Sequence, residues 1–576
     1  MGDANLSSSH CLPLNGGSAR VLVGRKKWIG LGAAPAVAVL AAMAWYDLSA
    51  VQPARSSRLL AWERVGAPAQ ERGAALFSYG DFGAIDLDTL ATSALPWPVL
   101  AASLALHEAQ GRPDLAAWPL VESAFKRFGF LYPDRLTGLS DAAVMQGAPL
   151  GFSIGTVTRT LPPLRMDVLN IGCAACHAGP AYGGDGAPDL AQAVPGMPNT
   201  SLDLEAFTTT AYAALKRALA DEAGLMAAID RLFPQMGMRE KLTLRWIALP
   251  RARDAMTKLQ VGIDRPLPFP NGVPGSTNGV AALKHQLHVT ARDRFNDGAG
   301  FVSIPVLADR FWRSALLVDG AYVAKGKARF RAIAAAEAKA RDPREFAAIA
   351  SFFMVPSMGM SDVRVAAAIP ELTEVMRWLG DFAPPRYPGP VDRTLAASGR
   401  DVYARACATC HGGYDDSLDR PRLQNFPNWA GDVGTDRSRV EAFTPALTQA
   451  VQGTLHGRTW LDAASTAKTA APPLSGVWAS APYLVNGSVP TIRHLLEPAT
   501  RPTRFMGHRL DLARLGIAGT AMPDGSWAYP EGYQPFSAPV TIDTTKPGFS
   551  NAGHEAEVND LTAADRDALI EYLKLL

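Results

Sequence analysis

Apolar positions along the chain recur mostly at helical spacing, and strict alternation is scarce, so helices should dominate and strands should be few. In "TLAASGRDVYARACATCH" (394–411), Leu395, Val402, Tyr403 and Ala406 share one face. "ELTEVMRWLGDF" (371–382) repeats the pattern with Leu372, Val375, Met376 and Leu379. "LTAADRDALIEYLKLL" (561–576) pairs a Thr562/Asp565 capping box with a stripe of Leu569, Ile570, Leu573 and Leu576. Between residues 178 and 370, "AYAALKRALADEAGLMAAIDRLF" (211–233) and "KARFRAIAAAEAKARDPREFAAIASFF" (327–353) also read as helical. "RPLPFPNGVPGSTNG" (265–279) reads as turns.

One apolar stretch differs. "WIGLGAAPAVAVLAAMAW" (28–45) carries no charge and follows Arg20, Arg25, Lys26 and Lys27. A basic flank before an apolar segment is an export signal. Its length suits either an uncleaved membrane anchor or, with "AMA" at 42–44, a cleaved leader. The basic side stays cytoplasmic, which sends the rest to the periplasmic face. Residues 1–27 are then a cytoplasmic tail and 46–65 a tether.

At 576 residues the chain exceeds one core, so two or three domains are expected. Pro384, Pro385, Pro388 and Pro390 make residues 384–392 the clearest boundary, because proline cannot continue a helix. It separates a first domain (66–383), with a long insertion, from a second (393–576). A net charge of +2 without dense Lys/Arg runs argues against nucleic-acid binding.

The five cysteines narrow the chemistry. Cys11 precedes the apolar leader, and the other four form "CAACH" (173–177) and "CATCH" (407–411). Cys-x-x-Cys-His is the attachment motif of c-type haem. Two thiols a turn apart form thioethers to one porphyrin, and the adjacent histidine reaches its iron. Structural zinc would need four ligands gathered together, whereas these motifs lie more than 200 residues apart. A redox dithiol would not need the histidine. Two haem c groups follow, attached through Cys173 and Cys176 with His177 on one iron, and through Cys407 and Cys410 with His411 on the other.

The opposite axial ligands decide function, since a six-coordinate iron transfers electrons and an open one binds peroxide or oxygen. His554, in the loop "KPGFSNAGHEAEVNDL" ahead of the last helix, is the strongest candidate, with Met506 and Met522 as competitors. His285 and His288 are candidates for the first haem, although a polar helix face explains them as well. His107, His456, His494 and His508 have no helpful context.

"TLAASGRDVYARACATCHGG", "PPLSGVWASAPYLVNGSVPTIRHLLEPATRPTRF" and "DTTKPGFSNAGHEAEVNDLTAADRDALIEYLKLL" resemble the C-terminal half of exported dihaem cytochromes of the bacterial dihaem cytochrome c peroxidase superfamily. The rubber oxygenases and their relatives are the nearest branch. "GFSIGTV", "MDVLNIGCAACHAG" and "VSIPVLADRFWRSALLVDG" extend a weaker likeness into the first half. The resemblance implies neighbouring haems, a six-coordinate C-terminal one with His554 as distal ligand, and a more open N-terminal one where chemistry occurs. Where relatives often carry a histidine in Pro-Tyr-x-His-x-Gly-Ser-Val, this chain has Val485. Phe311 and Trp312 fit either an aromatic wall near the haems or plain core.

The expectation is therefore a mainly α protein of two cytochrome c-type domains at the periplasmic face of the bacterial inner membrane. No catalytic side chain is assigned; chemistry is expected at the iron on His177. A peroxidase-like enzyme fed by a small redox partner leads. A dioxygenase cleaving a polyisoprene-like substrate and a pure electron carrier are its alternatives.

Overall fold

The computed structural model describes residues 39, 41–45, 54–66, 68–86, 89–140, 147–258, 269–289 and 300–576. The fold is mainly α, about 44% helix and 15% strand, with the strands in small sheets. Of the apolar leader at 28–45, only residue 39 and residues 41–45 are described, so that segment lies largely outside the described residues. Among the described residues, no helix is long and apolar enough to cross a membrane. The chain divides into two compact units, Met1–Ala50 with Arg159–Pro162, and Val51–Thr158 with Pro163–Leu576. The second holds both Cys-x-x-Cys-His segments.

Each motif is framed by a helix pair that crosses at a glycine. Ahead of the first, Arg72–Tyr79 packs on Ile369–Asp381. A Cβ on Gly73 would come within 2.4 Å of Trp378 Cβ and 2.6 Å of the Glu374 carbonyl. Ahead of the second, Arg393–Ala406 packs on Ala563–Leu573. There a Cβ on Gly399 would lie 1.9 Å from the Ala568 carbonyl. Any side chain at these positions would push the helices apart. The closing helix starts as the sequence suggests: Asp565 N–H donates to Thr562 Oγ1 (3.1 Å), and Thr562 N–H donates to Asp565 Oδ2 (3.0 Å).

The insertion contributes helices Leu204–Ala220 and Glu222–Leu232, divided at Asp221, whose side chain caps the second. They pack on Trp97–Glu108 around a cluster in which Phe125, Phe130, Phe152 and Phe207 meet at 4.8–6.3 Å. The stretch 327–353, read as one helical run, instead makes a short strand Ile333–Ala334 and helices Ala335–Ala340 and Pro343–Phe352. Pro343 cannot sit inside a helix but suits its first turn, and the Asp342 side chain caps the new start.

The proline-rich stretch is neither helix nor strand, as its composition requires. It is fastened along its length. Arg420 donates to the Pro384 carbonyl (2.7 Å), Trp478 Nε1 to that of Pro385 (3.0 Å), and Tyr387 Oη to that of Leu512 (2.7 Å). Strands from its two sides also pair, Ile333–Ala334 with Leu423–Phe426 and Tyr322–Ala324 with Leu461–Ala463. Within 46–65, the segment read as a tether, Ser57–Arg64 is a helix with Leu59 and Trp62 buried.

Candidate haem centres

A hairpin of Phe152–Arg159 and Leu164–Ile171 delivers the chain to the first motif. The helix Cys173–His177 is a single turn, too short to satisfy its own last carbonyls. Backbone N–H groups that follow it in the chain do so: Gly196 donates to the His177 carbonyl and Asn199 to that of Cys176, both at 2.8 Å. Asn199 Nδ2 adds a bond to the Ala175 carbonyl (3.3 Å). The second motif follows Arg393–Ala406 directly as the turn Ala408–His411. Buried Tyr403 donates its hydroxyl to the Gly412 carbonyl (2.9 Å) and so pins the end of that turn.

Both motif histidines are oriented by the same device. His177 Nδ1 lies 3.3 Å from the Pro305 carbonyl, and His411 Nδ1 lies 2.7 Å from the Pro472 carbonyl. A carbonyl can only accept, so Nδ1 carries the proton and Nε2 keeps its lone pair. Burial lowers both imidazoles to about 4, with the Arg310 charge also acting on His177 and His554 on His411. Neutral imidazole with a free Nε2 is the form that ligates metal. Burial has the opposite effect on the thiols. Cys173 is raised to about 11, and Cys176 and Cys407 to about 12. A reactive redox dithiol needs a lowered thiol, so these pairs are unsuited to disulfide exchange.

His554 stands against His411 with ring centroids 6.3 Å apart and ring planes 21° from parallel. Two metal–imidazole bonds of about 2 Å, plus about 1 Å from each nitrogen to its ring centre, make about 6 Å, so one iron fits between the rings. Burial and the Arg501 charge bring His554 to about 4. Its backbone is left-handed (φ 68°), which is uncommon for histidine and has to be held in place. Arg501 holds it. That guanidinium donates to the carbonyls of Asn551 (2.6 Å) and Gly553 (2.8 Å) and pairs with Glu555 (2.7 Å). The Glu555 carboxylate in turn accepts from the Gly553 N–H at 2.8 Å.

Among the described residues, no ring stands against His177 in this way. A cavity of about 1760 Å³ runs past both motifs and His554. That exceeds the roughly 300–1,000 Å³ of a site for one drug-sized ligand. Beyond the first motif its wall is apolar, with Phe207, Leu215, Ile247, Met256 and Leu283. His285 and His288 lie on the same wall, His285 with its ring 6.2 Å from that of Phe269. Among the described residues, its carboxylates are Asp254 and Glu557, and Glu557 acts on Cys410 at the second motif.

The remaining candidates are elsewhere. Met506 and Met522 do not line the cavity, and Met522 is exposed. His456 bonds Ser351 Oγ (2.8 Å), His494 bonds Thr491 Oγ1 (2.8 Å), and His508 is held between Ser201 (3.1 Å) and Ser537 (2.7 Å). His107 lies in the helix Trp97–Glu108 and is also off the cavity. Phe311 packs on Phe346 at 4.5 Å, and neither it nor Trp312 lines the cavity, whereas Val485 does. The Pro305 and Pro472 carbonyls escape sequence reading because a backbone acceptor carries no residue-type signal. Arg310, at the cavity wall, carries no local sequence signal that separates it from the chain's other arginines.

The donor set fits haem c, with two thiols and an imidazole at each motif and apolar walls suited to porphyrin faces. Comparison with known proteins agrees. A family model described as "RoxA-like, cytochrome c-like" matches residues 469–506, the segment that holds Pro472 and Arg501. That match supports the rubber-oxygenase-like cytochrome c branch and implies covalently bound haem c. Two uncharacterised proteins of Sinorhizobium fredii (strain NBRC 101917 / NGR234) are also similar. One, y4iM, is 29% identical over 220 residues, 31% of this chain and 45% of that protein. The other, y4iJ, is 29% identical over 260 residues, 34% of this chain and 41% of that protein. The chain thus matches less than half the length of each relative.

Proposed function

We propose that the chain is an exported dihaem c-type cytochrome with a division of labour between its haems. Cys173 and Cys176 hold one haem with His177 on its iron, and Cys407 and Cys410 hold the other between His411 and His554. A haem iron with an open position activates dioxygen or peroxide, and a six-coordinate one passes electrons. Two features support a division of roles: His554 stands against His411 at the second centre, and the cavity runs past His177 at the first. An export segment at 28–45, anchored or cleaved, suits a protein whose haem is attached outside the cytoplasm.

The reaction we favour is an oxygenase acting on an apolar substrate, with peroxidase activity second. The observation that carries this is the largely apolar wall beyond the first motif, formed by Phe207, Leu215, Ile247, Met256 and Leu283, with Asp254 as its one carboxylate among the described residues. Cleaving peroxide calls for an acid–base group beside the iron, and the peroxidase reading rests on His285 or His288 filling that role. Oxygen uptake by the purified holoprotein with a polyisoprene emulsion separates the two. The oxygenase consumes oxygen without an added electron donor. No uptake, together with turnover of hydrogen peroxide against a reduced small redox protein, would replace it with the peroxidase.

A further inference from the structure

Two cationic side chains, Arg310 and Arg313, sit on the cavity wall, and among the described residues no carboxylate is bonded to either. Arg310 follows Pro305, whose carbonyl orients His177, by five residues. One terminal nitrogen of Arg310 donates to the Val306 carbonyl four residues back, and its Nε is buried with no partner. Arg313 is 5% exposed and donates only to backbone carbonyls, Nε to Ala315 (3.3 Å) and Nη2 to Leu317 (3.1 Å).

The charges around them do not balance. Arg310 and Arg313 repel each other, and burial further disfavours both cations, taking Arg310 to about 10 and Arg313 to about 9. The acids nearby compensate poorly. Asp319 is committed to Arg439 in a buried pair at 2.8 Å. Asp309 attracts Arg310, but no ion pair joins the two, and Asp309 Oδ2 is buried with no partner. Buried guanidinium groups left without an anion are costly. Two of them on one cavity wall call for an anionic ligand with carboxylate or phosphate geometry, which a guanidinium fork matches.

We propose that Arg310 and Arg313 bind carboxylates of the group held at the first motif, the propionates of the haem on His177. The inference rests on haem attachment at Cys173 and Cys176 but not on which reaction follows. Propionates are the anionic edge of an otherwise apolar ligand, so they settle where the wall is cationic. A guanidinium there also favours the reduced iron, which carries one positive charge fewer. Arg310 lies five residues beyond Pro305, whose carbonyl holds His177 Nδ1, so the first haem is the one it tunes.

The test uses the full holoprotein with Arg310→Met, Arg310→Lys and Arg313→Met, reading haem content and both midpoint potentials. We expect two haems per chain in every variant, because the thioethers hold them. One midpoint should fall in Arg310→Met, fall less in Arg313→Met, and recover in Arg310→Lys, while the other stays fixed. Two intact haems with unchanged midpoints in Arg310→Met would overturn the proposal. Fewer than two haems in the unaltered protein would instead overturn the haem reading beneath it. If Arg310→Met does not fold, resonance Raman of the unaltered protein decides. The propionate bending bands shift in D2O when propionates accept bonds from exchangeable N–H groups, and bands that do not move refute the assignment.

Discussion

The two motif regions are built from one kit and finished differently. Each has a helix pair crossing at a glycine, Gly73 or Gly399, and a histidine whose Nδ1 meets a proline carbonyl, Pro305 or Pro472. At the second motif the chain then supplies His554, 6.3 Å from His411 in a loop clamped by Arg501. At the first it supplies an apolar wall with half-buried Arg310 and buried Arg313. On the proposed reading, attachment is a repeated solution, and reactivity is set by what lies opposite each histidine.

The largest effect that would break this comparison is loss of a haem. Changing Cys173 and Cys176 to Ser, or Cys407 and Cys410 to Ser, should each leave one covalent haem per chain in a pyridine haemochrome assay. Two haems remaining after either change would show that the motif is not the anchor. Next comes His554→Ala, which should convert the second haem from low to high spin, while His285→Ala and His288→Ala leave its spectrum unchanged. Arg501→Ala should produce the same conversion in part, since the left-handed backbone of His554 loses its clamp.

The frame itself is tested by Gly399→Ala and Gly73→Ala. Each should destabilise by about 1–3 kcal/mol as the helices separate, read as a lower Tm with haem content preserved. An unchanged Tm would mean that the crossings are looser than they look. The smallest effect concerns pH. Burial depresses His508 from 6.5 to about 4. Its neutral form belongs to the folded state, so the unfolded chain binds more protons between those values. Stability should therefore fall as pH drops from 6.5 towards 4. His508→Gln should flatten part of that slope, with buried His494, also brought to about 4, among the groups that supply the remainder.

The motifs, the closing helices and the Thr562–Asp565 capping box were legible because each is a local pattern with a fixed spacing. The nearness of His554 to His411 was legible from its place in the loop before the last helix. The hairpin Phe152–Arg159 and Leu164–Ile171 was not, because the first strand is buried on both faces over Phe152–Gly155 and shows no alternation. The stretch 327–353 misled because its alanines favour a helix throughout, while Pro343 and the pairing of Ile333–Ala334 with Leu423–Phe426 interrupt it. The two proline carbonyls meet histidines 128 and 61 positions away, which no local pattern records.

Inequality of the two centres is the central claim, and EPR of the resting oxidised holoprotein tests it most directly. The account predicts one low-spin signal from the iron between His411 and His554 and one high-spin signal of equal weight from the iron on His177. Two low-spin signals would contradict it, leaving a six-coordinate electron carrier in place of an enzyme.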